Sequence, residues 1–316
     1  MSCFILMIQE KGSAVSTLNL AQKIVSSHLL EGDLSAGNEI VMHVDQTLCP
    51  DSSGTTVFLE LEAMGVPRVL TESVVYVDHN MLQTGFENFD DHLYLQTACE
   101  RFCCSFSRPG NGICHQVHLH RFAKPGNVLV GADSHTPTSG AIGCLGIGAG
   151  GLDVALAMAT AQYCLNMPSI MGVELTGRLT PWVSTKDLAL EVLRRLSVSG
   201  GRNKILEFLG EGVKTLSIPE RATAANMSTE TGATSALFPS DERTQEFFSQ
   251  EARSQMFVPL SADYGCKYDE VVSVALDKVE PMVAKPHSPD NVVPASDLAG
   301  LKAVSYTHLR AHETVL

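Results

Sequence analysis

The chain alternates short apolar runs with longer stretches in which apolar residues recur every three or four positions. Leu20, Ala21, Ile24, Val25 and Leu29 follow helical spacing behind Thr17 as the capping residue, with Gly32 as the stop. "EIVMHVD" then reads as a strand, "TVFLELEAMG" as a helix closed by Gly65, and "SVVYVDH" as a second strand. The alternation continues with helices over 91–102 and 152–165 and strands over 127–131 and 170–175. Ser184 with Asp187 opens a helix through Leu196 in the manner of a capping box. Helices interleaved with strands predict an α/β fold, with helices packed on a sheet.

Length adds that the 316 residues suffice for two compact domains or one large one with a substantial core. Gly and Pro density rises over 175–184, which marks a boundary. The Pro-rich run 280–294 is expected to be extended and to cross the surface toward a further unit. A formal charge of -13 argues against a nucleic-acid or anionic-membrane surface and leaves small polar substrates open. No apolar run approaches the ~20 residues of a membrane span. The start "MSCFILMIQEKG" lacks a basic leader and a small-residue cleavage site, so the cytoplasm is the expected compartment.

Nine cysteines, an odd number without a CxxC, favour reduced and mostly buried thiols over a disulfide framework. Cys99, Cys103 and Cys104 lie on a helical pattern and read as structural rather than as a metal cluster. The last twelve residues, "SYTHLRAHETVL", continue no earlier pattern and read as a non-native tail, so the i, i+4 pair His308 and His312 carries no weight.

The densest chemistry lies in "VLVGADSHTPTSGAIGCLGIGAGGLD", where Asp133, Ser134 and His135 are adjacent. They cannot form a nucleophilic triad among themselves, because consecutive residues on extended backbone point in alternate directions; each needs a partner elsewhere. "GIGAGG" matches GxGxxG before a helix, but its strand "NVLVGAD" ends well before Gly146, whereas a dinucleotide turn follows its strand directly. The alternative is that these glycines allow close packing. Asp78 and His79 in "VDHN", His115 in "GICHQVH", and Asn226 and Glu230 in "ANMSTETGAT" fall at further strand ends or turns. Singly, each is a satisfied structural or surface group. Together, three histidines and three carboxylates suit polycarboxylate binding and proton transfer by imidazole–carboxylate pairs.

"DSHTPTSGAIGCLGIGAGGLDVALAMA", "RPGNGICHQVHL", "VDHN", "LTGRL" with "VSTKD", and "NMSTETGATSALFPSDE" together resemble the aconitase family. The family includes aconitate hydratase, homoaconitase and the large subunit of isopropylmalate dehydratase. The resemblance runs from about Leu18 to Lys302, and within the family "TGFENFDDH" and "GEGVKTLSIPERAT" look most like bacterial aconitate hydratase. It implies aconitase-like three-layer α/β/α domains, of which this is the N-terminal portion. It also implies a hydro-lyase converting citrate to isocitrate through cis-aconitate, with a 4Fe-4S cluster as Lewis acid.

Carried over, the catalytic set is Asp78, His79, His115, Asp133, His135 and Glu230: His79, supported by Asp78, protonates the departing hydroxyl, His115 pairs with Asp133, and His135 pairs with Glu230. Ser134 and Asp51 would contact substrate, and Asn226 would lie beside the cluster. Pro50 stands where the family usually has a substrate-contacting Gln. The family's SCTN and CxxC cluster motifs do not occur in the chain, and its later substrate-clamping arginines and serine base are missing.

The expected division is therefore 1–14 as an extension without counterpart, 15–178 as a first α/β domain, and 179–294 as a second, smaller one. Residues 295–304 would begin a truncated third domain, and 305–316 would be the non-native tail. The expectation is a fragment inactive alone, with a small tricarboxylate or dicarboxylate substrate, no nucleic-acid or membrane partner, and C-terminal domains missing. A homocitrate or isopropylmalate hydro-lyase, a tricarboxylate binder and half of a split enzyme are the alternatives.

Overall fold

A computed structural model of the protein describes residues 17–301; the extension at 1–14 and the tail at 305–316 lie outside the described residues. Helix α1 (Leu20–His28) starts from Asn19, whose side chain accepts from the Gln22 amide while the Gln22 side chain accepts from that of Asn19. Asn19 rather than Thr17 is the cap, because it stands three residues before the Gln that completes the reciprocal pair.

The first sheet has five parallel strands: β1 (Gln46–Pro50), β2 (Glu72–Tyr76), β3 (Ser105–Ser107), β4 (Val128–Gly131) and β5 (Leu145–Gly148). Helices α2 (Asp51–Met64), α3 (Glu87–Phe102), α4 (Cys114–Arg121) and α5 (Gly151–Thr160) cover it. Cys49, Val75, Val128 and Val130 share a core with Phe58 and Leu61 of α2, Leu95 of α3 and Val154 of α5. The alternate strand residues Leu48, Val74, Tyr76 and Leu129 pack with Cys114 and Leu119 of α4 on the other face. Burial on both faces is why β2 and β4 read as unbroken apolar runs.

The spatial order is β3-β2-β1-β4-β5. Chain progress runs outward in one direction from β1 and in the other from β4, so the connections leaving the carboxyl ends of these two neighbours diverge. That divergence opens a crevice above the sheet, the usual ligand position in open parallel sheets.

A second parallel sheet, β6 (Ser169–Thr176), β7 (Lys204–Leu209), β8 (Ser235–Leu237) and β9 (Glu270–Ala275), has the order β8-β7-β6-β9. It begins ahead of the Gly- and Pro-rich stretch at 175–184. Leu188 and Val192 of α6 (Thr185–Leu196) and Ala224 of α7 (Ile218–Met227) close its core around the stacked Phe208 and Phe238 rings. Ser184 caps α6 with Asp187, as the sequence predicts. Helix α8 (Glu242–Gln250) follows, capped by Asp241.

The turn Thr136–Ile142 joins the two sheets. A side chain at Gly140 would run into the Ala236 carbonyl, and the Gly140 carbonyl accepts from Phe238 N at 2.8 Å.

Three expected elements differ. Helix α1 ends at His28 rather than running past Leu29 to a stop at Gly32, and Leu29–Glu31 pairs as a strand antiparallel to Glu39–His43. The helix expected over 152–165 ends at Thr160, Ala161 turns left-handed (φ 54°), and Gln162–Asn166 forms a strand antiparallel to Glu39–His43. Tyr163 and Leu165 alternate with more exposed neighbours, a two-residue period hidden behind the preceding helical one. The run 280–294 is not extended but folds back as a hairpin, Met282–Ala284 against Val292–Pro294. Val292 packs on Leu190 and Leu193 of α6, and Met282 N donates to Asp187 at 2.8 Å. Among the described residues no helix is long and apolar enough to cross a membrane.

Candidate active site

Three strand ends converge. Asp51 follows β1 at the first turn of α2, Asp78 and His79 follow β2, and Asp133 to His135 follow β4. His115 comes from the first turn of α4, beside Cys114. Asn226 lies at the end of α7, and Glu230 in the turn Ser228–Thr231, so the second sheet's elements supply the remaining wall.

His79 bridges two carboxylates: Nδ1 is 2.9 Å from Asp78 Oδ1 and Nε2 is 3.3 Å from Asp133 Oδ2. Asp133 Oδ1 is 2.9 Å from His115 Nε2 and accepts from the His135 backbone N–H at 2.8 Å. His135 Nε2 lies 3.3 Å from Glu230 Oε1. The structure thus brings together all three imidazole–carboxylate pairs that the resemblance implies, and adds the His79–Asp133 contact that links two of them.

The electrostatics follow from these contacts. Hydrogen bonds to Asp133 and Asp78 outweigh partial burial and push His79 up to about 10. Burial pushes the Asp133 carboxyl up, but the bonds from His115 and His79 prevail and hold it well below the usual carboxylate range. Asp78 is also lowered: its burial is outweighed by His79 and by the Cys114 N–H, which donates to Oδ2 at 2.7 Å. At neutral pH the cluster holds an imidazolium between two carboxylates.

The substrate and cofactor candidates occupy different environments. Ser134 is exposed, with Oγ 3.1 Å from His135 Nδ1, and it borders a cleft of about 460 Å³ that Thr229, Asn166 and Asn203 also line. Asn226 donates to Thr138 Oγ1 at 2.9 Å, and Thr138 in turn donates to the His135 carbonyl. Asp51 lies beneath the site with its side chain fully buried. It accepts from the backbone N–H groups of Asp78, His79 and Asn80 at 3.3, 2.9 and 3.1 Å, and pairs with His92 Nε2 at 2.9 Å. In this structure Asp51 holds the loop that carries His79 rather than facing the cleft. Pro50, just before it, presents no polar side chain.

Sequence reasoning missed His92 and Cys114. His92 lies mid-helix on α3 with no motif around it, and its role appears only through Asp51. Cys114 is wholly buried, yet it shares a cluster with Asp78 and His79 and another with His115 and Asp133. Its proximity to His115 in "GICHQ" was the available signal.

The glycines of "GIGAGG" act as spacers. Gly146 and Gly148 belong to β5 itself, and a Cβ at Gly148 would come within 2.8 Å of the Asp133 carbonyl. They allow the site loop to lie against the neighbouring strand. The three cysteines 99, 103 and 104 form no metal-binding group among the described residues.

Parallel strand ends bearing imidazole–carboxylate pairs, closed by elements of a second α/β layer, define an α/β protein with a crevice lined by titratable groups. The chain belongs to the aconitase family: the family model described as aconitase family (aconitate hydratase) matches residues 22–314. The mitochondrial aconitate hydratase of Schizosaccharomyces pombe is 34% identical over 300 residues, covering 88% of this chain and 38% of that protein. That of Saccharomyces cerevisiae is also 34% identical over 300 residues, 88% of this chain and 39% of the relative. The 3-isopropylmalate dehydratase large subunit 2 of Archaeoglobus fulgidus is 34% identical over 282 residues, 89% of this chain and 68% of that protein. The chain spans about two fifths of the length of these aconitate hydratases.

The cytoplasmic expectation is overturned, because the aconitate hydratases matched here are mitochondrial by name. It rested on the composition of the first residues, and a chain that aligns to two fifths of a relative carries no information about what precedes it.

Proposed function

We propose that the chain supplies the imidazole–carboxylate portion of a hydro-lyase site that dehydrates and rehydrates a small hydroxy-polycarboxylate, with citrate and isocitrate as substrates. The observation that carries the reading is His79 bridging Asp78 and Asp133, whose carboxylates raise its pKa. A departing hydroxyl taking the place of Asp133 at Nε2 would receive the proton, while Asp78 keeps Nδ1–H oriented. His115 with Asp133, and His135 with Glu230, would hold and return protons at the same face. Ser134 at the cleft would donate to a substrate carboxylate, and Asn226 would stand beside the cofactor.

A 4Fe-4S cluster supplies Lewis-acid chemistry in this family. Cys49, Cys99 and Cys104 neighbour one another, but among the described residues no three cysteine sulfurs lie within 4.8 Å of one another, and each metal-capable group contains a single cysteine. The described residues therefore do not fit the cluster. We propose that the 316-residue chain is inactive alone, and that the two units flanking the site divide ahead of Ser169 rather than at 178/179, because β6 (Ser169–Thr176) is a central strand of the second sheet. The purified chain, treated with iron and sulfide under reducing conditions, is expected to show no turnover of citrate, homocitrate or isopropylmalate while binding citrate in calorimetry. Turnover would refute the inactivity, and failure to bind any of the three would refute the site.

A second reading, a subunit of a two-chain isopropylmalate-type enzyme, is favoured by the Archaeoglobus relative. The chain covers 68% of that protein, which is named as a large subunit. Binding of isopropylmalate in preference to citrate would select it.

A further inference from the structure

Cys114 is the one member of the cluster that the proposed proton chemistry leaves unused. Its side chain is wholly buried at the start of α4, and its sulfur, a nitrogen of His115 and a carboxylate oxygen of Asp133 all lie within 4.8 Å of one another. A tetrahedral cation with bonds of about 2.0–2.3 Å sets its ligands about 3.3–3.8 Å apart, so shifts of about 1.5 Å or less would close a set whose atoms lie within 4.8 Å of one another. Sulfur, nitrogen and oxygen donors in one buried pocket are the mixture that borderline-soft dications accept.

His115 is 5% exposed, and its Nε2 is held by Asp133 at 2.9 Å. The nitrogen that faces the carboxylate is therefore Nε2, and it is Nε2 that would share a cation with Asp133. Cys114, His115 and Asp133 are all buried.

We infer that Cys114, His115 and Asp133 form a binding site for a thiophilic divalent cation of the zinc or cobalt type. On binding, the Cys114 S–H bond breaks, its proton passes to the solvent buffer, and the metal–sulfur bond forms without change of oxidation state. Three protein ligands leave a fourth position for water. The site overlaps the proposed acid–base residues, so the cation occupies it at the expense of proton transfer. That consequence rests on the hydro-lyase reading, whereas the binding does not.

The test titrates the reduced full chain with Co²⁺ in the absence of substrate. One equivalent is expected to bind with a thiolate-to-cobalt charge-transfer band, which reports sulfur ligation and is silent to sites built of histidine or carboxylate alone. Cys114→Ser should abolish the band, whereas Cys103→Ser with Cys164→Ser, at exposed thiols, should leave it. His115→Gln should weaken cobalt binding by about tenfold or more, which keeps the test decisive if Cys114→Ser does not fold by circular dichroism. No stoichiometric band, a band that survives in folded Cys114→Ser, or unchanged affinity in His115→Gln would overturn the inference. A failed citrate-binding experiment would leave each of these outcomes as it is.

Discussion

His79 Nε2 and Asp133 Oδ2 stand 3.3 Å apart across the ends of β2 and β4, and the same Asp133 carboxylate holds His115 through its other oxygen at 2.9 Å. A single carboxylate therefore couples two imidazoles, and a change at any one of the three is felt by the others.

His79 is expected to titrate near 10 by NMR of its ring protons. Because its folded value lies above the ordinary 6.5, its contribution to stability is complete below about pH 6.5 and is lost as pH rises through about 10. Asp133→Asn should lower the His79 value and flatten the alkaline fall in stability. Titration of His79 near 6.5 in the parent chain would show that the two carboxylates do not hold it.

Asp51→Ala removes the acceptor for three backbone N–H groups and leaves His92 without its carboxylate. The expected loss is about 3 kcal/mol or more of unfolding free energy in urea, as for a buried pair with one partner deleted. His92→Gln, which leaves the three backbone bonds in place, should cost less. Equal effects, or an Asp51→Ala loss within about 0.5 kcal/mol, typical of a surface substitution, would remove the loop-holding role.

Gly140→Ala is expected to destabilise by about 1–3 kcal/mol, because the new methyl meets the Ala236 carbonyl on the second sheet. The strain falls between the two sheets, so the near-ultraviolet signal should change along with the melting temperature. Gly37→Ala, whose Cβ would meet nothing within 4 Å, isolates the cost of a positive φ (89°) alone. A Gly140→Ala chain as stable as the parent would show that the sheets are not in contact there.

Arg221 is wholly buried and forked to Asp241 at 2.9 and 2.7 Å, with further bonds to the Pro239 and Val213 carbonyls. Arg221→Ala strands that carboxylate and those carbonyls, and should cost about 3–5 kcal/mol. Arg221→Lys, which cannot fork, should recover only part of it. Full recovery by lysine in thermal unfolding would mean that charge alone, and not the planar geometry, holds α7 to the start of α8.

The legible parts were those written in local spacing. The Ser184–Asp187 capping box, the left-handed stop at Gly65 and the strands β2 and β4 each follow from residues a few positions apart, whereas β1, β3 and β5 carry too little apolar pattern to be read alone. The cap at Asn19 was misplaced by two residues, because Thr17 and Asn19 are both capping types and only the reciprocal bond to Gln22 separates them. Helix α4 shows the limit most plainly. His115 and His118 lie one turn apart and are both buried, yet His115 faces Asp133 while His118 bonds the Tyr76 hydroxyl at 2.9 Å, and burial lowers it to about 3, a neutral core group.

The amino-acid sequence by itself determined the alternation of helix and strand and the residue types gathered at the strand ends, because each depends on the pattern of a single element. The tertiary structure decided that Asp133 serves two histidines, that Asp51 supports the His79 loop, and that Cys114 lies within reach of both carboxylates. Those relations depend on strand order and on the direction in which side chains leave neighbouring strands. They arise only once residues distant in the chain are held within a few ångströms of one another.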